Sequence, residues 1–520
     1  MNQSHPYDDV PYPDLCYPYT HPGRIAAIAT LLGLQPAPVE NCRVLEIGCA
    51  GGGNLIPMAY GLPNSTFTGI DNSARQIKAA QVFARALALD NIEFQTMDLL
   101  DITSAFGQFD YIIAHGMYAW VPPHVQDKIL SICQQNLSPQ GVAYISYNTL
   151  PGWSMILMAR DMMLYHVRNE TDPQTRAQLA RDFITDLANM LPDGEQSAYR
   201  AFLKTYADIR FNRFNGHPGW EESSLLHDEL GPFNQPVLFH QFIEHGAKHG
   251  LQYLAEADFS QVMTHDLPDH TTARLQTLAS DIIEREQYLD FVRNQTFRRT
   301  LLCHDSIALN RTLSSESVRD MFMMSRAQPG TDSDGDPQFQ TPDGSTYPAE
   351  DPLTAAALHH LSAISPRAMA FDELLQRACA MTGVAPTDEQ AAALAGNLLE
   401  AFTYSAQIAE LLTYDPSCAV EVPPYPQISP VARQQGRSSR IVSNLRHEQV
   451  ELDGLNVALL PFLDGQHNRD DLLRELVGLV ESGKLSPSRR ISDPQQMRQQ
   501  LAQYLDHALH WLVYAALLVE

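Results

Sequence analysis

Basic side chains are scarce in this chain: 35 Lys and Arg stand against 61 Asp and Glu, a formal net charge of −26 over 520 residues. A protein that tracks a phosphate backbone needs clustered cations, so nucleic acid is excluded as the expected partner. A solvated acidic surface is the plain reading, and a basic protein partner is compatible with it. Cysteines are few and scattered: Cys16, Cys42, Cys49, Cys133, Cys303, Cys379 and Cys418 contain no C-x-x-C pair. That excludes a disulfide framework and a cysteine zinc site, fits a reducing compartment, and leaves no metal expected. No apolar run reaches membrane-spanning length, and the polar, proline-rich start shows no signal-peptide pattern. A soluble cytoplasmic protein is expected. The length is too great for one core and predicts about two to four domains.

The chain is organised around Arg43-Val44-Leu45-Glu46-Ile47-Gly48-Cys49-Ala50-Gly51-Gly52-Gly53-Asn54. Val44, Leu45 and Ile47 form the apolar run of a strand covered on both faces. The strand ends on an acid and spills into glycines that open a helix, where a ligand can lie against backbone. Dinucleotides and S-adenosylmethionine (SAM) both use such a turn, and charge separates them. The dinucleotide pattern G-x-G-x-x-G is met only with Ala50 in its second glycine slot, and Glu46 would repel the pyrophosphate. SAM carries a cationic ammonium and a sulfonium, which an acid suits. Glu46-x-Gly48-x-Ala50-x-Gly52 resembles the first motif of class I SAM-dependent methyltransferases. The alternative is a tight strand–helix turn that binds nothing.

Residues 1–22 hold four tyrosines and five prolines, ending Tyr17-Pro18-Tyr19-Thr20-His21-Pro22. They form either a lid over a ligand or an arm packed on the surface. Ile25, Ile28, Leu31 and Leu32 then mark a helix stopped by Gly33. Further strands are predicted at residues 66–70, 92–94, 109–114 and 142–146. The second closes on Asp71, placed to take both hydroxyls of a ribose. Asn72-Ser73 begins the next helix. After the third strand, Met97-Asp98-Leu99 offers Asp98 for an adenine amine, with Asp101 as a competitor that only caps a helix. Residues 153–211 read as helical, with a stripe of Leu179, Phe183, Leu187 and Leu191. Alternation resumes with a helix over 239–249, a strand at 251–255, a helix over 271–293 and a strand at 297–303. The expected fold is α/β: a seven-stranded Rossmann-like sheet in which both late strands join the first, interrupted by a helical insertion.

Residues 1–152 and 230–310 make up the expected core, with the insertion at 153–229 and a linker at 311–352 whose part from 328 on is rich in Pro, Gly and Asp. The acid spacing from Asp332 to Asp336 is like that of a calcium loop but lacks its closing glutamate. Two mostly helical, winged-helix-like modules follow at 353–425 and 426–520. Without a basic face they are read as protein-binding.

Methyl transfer needs an in-line nucleophile with a free lone pair. A lysine amine must therefore shed its proton, which burial among aromatic walls favours. His115-Gly116-Met117-Tyr118-Ala119-Trp120-Val121-Pro122 and Tyr147-Asn148-Thr149-Leu150-Pro151-Gly152-Trp153 supply such walls at strand ends. Asn148 can orient an amine, and Tyr118 or His115 can accept a proton; plain packing is the competing reading for each aromatic. These segments occur with Pro18-Tyr19-Thr20-His21-Pro22, Asn234-Gln235-Pro236-Val237 and His249-Gly250-Leu251-Gln252-Tyr253-Leu254. Together they resemble bacterial SAM-dependent methyltransferases carrying a methyltransferase regulatory domain. Among these are the rickettsial protein-lysine methyltransferases that act on outer-membrane proteins. The likeness is specific to about residue 325 and looser beyond. It implies a dimerising or regulatory insertion, substrate-handling C-terminal modules, and S-adenosylhomocysteine as product. The cofactor set it implies is Tyr19, Thr20, Glu46, Gly48, Cys49, Ala50, Gly52, Asn54, Asp71, Asn72, Met97, Asp98, Leu99 and His115. Tyr118, Trp120, His115, Tyr147 and Asn148 are the catalytic candidates. A small-molecule methyltransferase and a SAM-sensing adaptor are the alternatives, with a NAD-dependent oxidoreductase ranked last.

Overall fold

Seven strands form one sheet in the order β3-β2-β1-β4-β5-β7-β6. They are β1 Arg43–Ile47, β2 Thr66–Asp71, β3 Ile92–Thr96, β4 Phe109–Ala114, β5 Leu137–Asn148, β6 Leu251–Glu256 and β7 Phe297–His304. The computed structural model describes residues 10–191, 197–211, 219–332, 335, 337–485 and 493–520. β1 to β5 run parallel, and β7 enters antiparallel between β5 and β6, so both late strands join the sheet as expected. Strand order reverses between β1 and β4, which opens a crevice at their carboxyl ends. Val44, Tyr111 and Tyr144 pack on one face, and Leu45, Ile112 and Ile145 on the other. No helix among the described residues is long and apolar enough to cross a membrane, and all seven cysteines are free and buried.

Three expectations are corrected. The helix expected over 271–293 is two, Asp269–Leu278 and Ile282–Arg293. Asp281 accepts from Glu284 N at 2.9 Å while Glu284 reaches back to Ser280 N at 2.8 Å, and this reciprocal cap starts a new helix. In the insertion, the helix Pro173–Met190 buries Ala177, Ala180, Ile184 and Ala188 instead of the leucine stripe. Leu179 and Met190 are exposed, as are Tyr165 and Ile209 on neighbouring helices. The expected linker is folded: strands Gln328–Thr331, Pro337–Gln340 and Thr346–Pro348 form a meander. Phe339 and Tyr347 pair across it and are buried, a cross-strand aromatic contact that outweighs the turn-rich composition. Residues 333, 334 and 336 of the calcium-like stretch lie outside the described residues.

The strand Phe322–Met324 pairs with Met369–Ala370 and Glu410–Leu412 beside the helices Pro352–Ile364, Phe371–Thr382 and Asp388–Tyr404. This module shares one apolar core with a face of the large sheet. The final module has its own core around Leu459, Leu476, Leu505 and Leu512, and a hairpin wing of Ile441–Ser443 and Gln449–Glu451. The tip of that wing is buried: Arg446 and His447 are almost fully enclosed. Arg24, Arg326 and Arg446 meet Glu410 and Glu448 there, joining the first helix, the middle module and the wing. Burial alone would raise the Glu448 pKa; Arg446, Arg326 and Arg24 hold it at about 2.

Candidate functional site

The glycine turn leaves β1 with Gly48 N and Cys49 N donating to Ile70 O at 2.8 and 3.0 Å, which ties it to the end of β2. Asp71 at that end accepts from Ala50 N at 3.1 Å and from Ser73 N at 2.8 Å. Ala50 and Gly52 both adopt positive φ, +48° and +83°. A Cβ on Gly52 would lie 2.7 Å from Phe94 Cζ and 2.9 Å from Ile56 Cδ1. Gly52→Ala is expected to destabilise by roughly 2–4 kcal/mol in urea unfolding, from left-handed strain plus overpacking. An unchanged midpoint would contradict this packing.

Glu46 is 3% exposed and sits behind the turn. Asn54 Nδ2 donates to its Oε1 at 2.6 Å, while Oε2 is buried with no partner. Burial raises the Glu46 pKa to about 8; Asn54 lowers it, and Asp14 and Asp71 raise it further. A buried carboxyl oxygen with free lone pairs and like charges nearby suits a cation and disfavours a pyrophosphate. Asn54 is itself fixed from three sides. Its Oδ1 accepts from Tyr17 N at 2.8 Å and lies 3.0 Å from Thr20 Oγ1 and 2.9 Å from His447 Nε2.

The N-terminal arm crosses this turn. Asp14 Oδ1 accepts from Gly53 N at 2.7 Å, and the Tyr17 ring stacks on His115 with centroids 3.7 Å apart. Upstream, Tyr12 donates to Asp228 and His227 meets Val10 O, so the arm is held against the end of the insertion. The arm thus joins the crevice rather than packing on a remote surface. Asp14 and His447 were not singled out in the sequence; each is distant in the chain and sits in no recognisable motif.

The fourteen expected cofactor residues are not all arranged alike. Glu46, Gly48, Cys49, Ala50, Gly52, Asn54, Asp71, Thr20 and His115 gather around the turn and the adjoining strand ends, with Met97 N donating to Asp71 O at 3.0 Å. Leu99 is buried and Asn72 is exposed. Asp98 is exposed and caps the short turn Leu99–Asp101 by accepting from Leu100 N at 2.9 Å, so capping falls to Asp98 rather than Asp101. Tyr19 turns toward β6 and β7, donating to Asp258 at 3.1 Å beneath the Arg299 guanidinium.

The catalytic candidates divide by face. His115 Nδ1 lies 3.0 Å from Tyr144 Oη and 3.3 Å from Ser146 Oγ, on the face that holds Tyr17. Asn148 is buried with Nδ2 unpartnered, and Trp120 stands edge-on to Trp153. Tyr147 belongs to the opposite face: it stacks on Phe242 at 4.1 Å and its hydroxyl meets Thr300 Oγ1 at 3.0 Å. Tyr118 is on that face too, its hydroxyl 2.7 Å from His245 Nδ1. Burial pushes both phenol pKa values far up, so neither is poised as a base. Tyr118 and Tyr147 thus stand apart from His115, on the face lined by Phe242. Side chains alternate along β5, so Tyr147 must face away from Ser146 and Asn148.

A 3-2-1-4-5-7-6 sheet with an acidic, cation-seeking glycine turn at its switch point defines a class I SAM-dependent methyltransferase. Three family descriptions match the chain: a methyltransferase domain over residues 38–182, a predicted methyltransferase regulatory domain over 221–304, and the PKMT C-terminal winged helix domain over 424–517. The protein RP789 of Rickettsia prowazekii (strain Madrid E) is 32% identical over 99% of this chain and 94% of its own length. RP028 of the same organism is 36% identical over 46% of this chain and 94% of its own. The structure of PKMT2 from Rickettsia typhi in complex with AdoHcy superposes with a TM-score of 0.83 at 27% identity, covering 98% of this chain and all of that one. The chain belongs to this family of bacterial SAM-dependent methyltransferases with a regulatory domain and a PKMT-type winged helix.

Proposed function

We propose that the chain transfers a methyl group from SAM to the side-chain amine of lysine in a protein, in the bacterial cytoplasm. What carries this reading is the likeness to PKMT2 along the whole length, both C-terminal modules included, rather than over the cofactor domain alone. The residues fit the donor. Glu46 Oε2 would take the methionyl ammonium, Asp71 the ribose and the turn backbone the space between them; Asp98 is the candidate for adenine. When bound, SAM supplies an electrophilic methyl on a cationic sulfur. The chain's part is to place a neutral amine in line with that methyl and to exclude water. Tyr17 and His115 cover one side of the crevice, and Trp120, Trp153 and Asn148 stand at the strand ends where an amine would enter. The net charge of −26 favours approach of a basic segment.

Incubating the enzyme with methyl-labelled SAM and an extract of the source cells tests the substrate class. Label in protein is expected; label confined to small metabolites would replace the proposal with a small-molecule activity, and no turnover would leave an adaptor.

Glu46 also sets a pH dependence. Its carboxyl pKa is raised to about 8, and a bound ammonium favours the ionised form. SAM binding should therefore release a proton below pH 8. Affinity should rise by up to roughly tenfold per pH unit from 6 to 8 and then level off. Calorimetry in two buffers of different ionisation enthalpy measures that proton, and a pH-independent affinity would contradict the assignment.

A further inference from the structure

Among the described residues one cluster has the geometry of a metal site, and it lies outside the cofactor crevice. His245 is in the last turn of the helix Phe239–Lys248 and His249 is its C-cap, so a four-residue spacing puts both rings on one face. Both Nε2 atoms point at the same oxygen, Asp127 Oδ1 on the helix Pro123–Asn136, at 3.4 Å from His245 and 2.9 Å from His249. The three candidate ligand atoms lie within 4.8 Å of one another. A tetrahedral ion holding nitrogen and oxygen at about 2.0–2.2 Å separates its ligands by roughly 3.3 Å, so small side-chain shifts suffice. The other nitrogen of His245 is also occupied: Nδ1 lies 2.7 Å from Tyr118 Oη. An Nδ1–H donated to that oxygen fixes Nε2 as the ligating atom, the tyrosine hydroxyl standing where a metal-bound histidine more often has a carboxylate, carbonyl or water. Asp127 is 62% exposed, so the ion has an entry path and room for water at a fourth position.

We propose that Asp127, His245 and His249 bind a divalent transition-metal ion of the zinc type. Two histidines and one carboxylate suit that class and leave calcium and magnesium, which prefer oxygen, poorly served. The ion joins the helix after β4 to the helix before β6. Through His245 and Tyr118 it steadies the segment that begins at His115, so its role is to position the crevice wall rather than to take part in methyl transfer.

The full chain, freed of metal with a chelator, is titrated with Zn2+ by calorimetry and with Co2+ by visible absorption. One equivalent should bind with a tetrahedral Co2+ spectrum. Asp127→Asn and His249→Ala should each weaken Zn2+ binding by roughly 100-fold or more, and Tyr118→Phe by roughly tenfold. Asp127→Asn alters an exposed side chain and is expected to keep the wild-type melting temperature, which separates lost binding from lost fold. No stoichiometric Zn2+ binding by the wild type, or binding unchanged in Asp127→Asn and His249→Ala, would overturn the proposal. Binding unchanged in Tyr118→Phe alone would remove the link to the crevice wall.

Discussion

Arg298→Met is expected to destabilise the protein by about 3–5 kcal/mol, the cost of breaking a buried ion pair from one side. Arg298 on β7 is enclosed and pairs with Glu256 at 2.8 Å, Asp290 at 2.9 Å and Glu286 at 3.4 Å. Its guanidinium also lies 4.0 Å from the centre of the Phe239 ring. Glu256 is further held by Arg299 N and Thr300 Oγ1, each at 2.8 Å, and Thr300 meets Tyr147. One cation thus joins β6, β7 and the helix Ile282–Arg293 to the end of β5. Arg285 also reaches Glu286 at 3.3 Å, so two cations face three acids and the charges are incompletely matched. Burial raises Glu286 to about 7 and Asp290 to about 6, with Arg298 pulling each down. Their folded values exceed the unfolded ones. The stabilisation they give is therefore full below about pH 4 and lost as pH rises through 6 and 7. Without Arg298 the acids must stay protonated, so urea unfolding of Arg298→Met should show a larger deficit at pH 8 than at pH 5. A deficit below about 1 kcal/mol at both would show that the hub is not needed.

Asp71→Ala is expected to weaken SAM binding by about 100-fold or more. The carboxylate organises the turn through Ala50 N and Ser73 N as well as offering itself to a ribose. Hydrogen bonds from the two ribose hydroxyls to the carboxylate contribute roughly 1.5–3 kcal/mol each, and two lost together exceed two powers of ten. Asp71→Asn keeps one oxygen acceptor and should lose only about tenfold. Calorimetry with SAM reads both, with melting temperatures as the fold control. Equal affinity in Asp71→Ala and wild type would place the donor elsewhere.

The sheet was legible because most of its strands carry buried apolar runs at strand length, as residues 44–47 and Phe109–Ala114 do. The turn was legible because Glu46, the glycines and Asp71 lie close in sequence and share one chemistry. What surrounds the turn was not. His447 meets Asn54 across 393 residues, and no local pattern marks a wing tip that will be buried under another domain. Asp14 looks like one more polar residue in a proline-rich arm. Tyr147 and Asn148 read as one wall in the sequence, whereas alternation along β5 turns them to opposite faces, and which face meets the cofactor depends on where the arm and the wing pack. Phe339 and Tyr347 were hidden among turn residues, since their pairing depends on a register that the composition does not reveal. The pair His245 and His249 carries helical spacing, but its partner Asp127 comes from another helix.

The most direct test of the account is the chemical identity of the product. Protein labelled with methyl-tritiated SAM by the purified enzyme is hydrolysed to amino acids and the label is separated by chromatography. It is expected to elute with Nε-methylated lysines. Label eluting with methylarginine or methylhistidine, or lost as base-labile methyl ester, would contradict it.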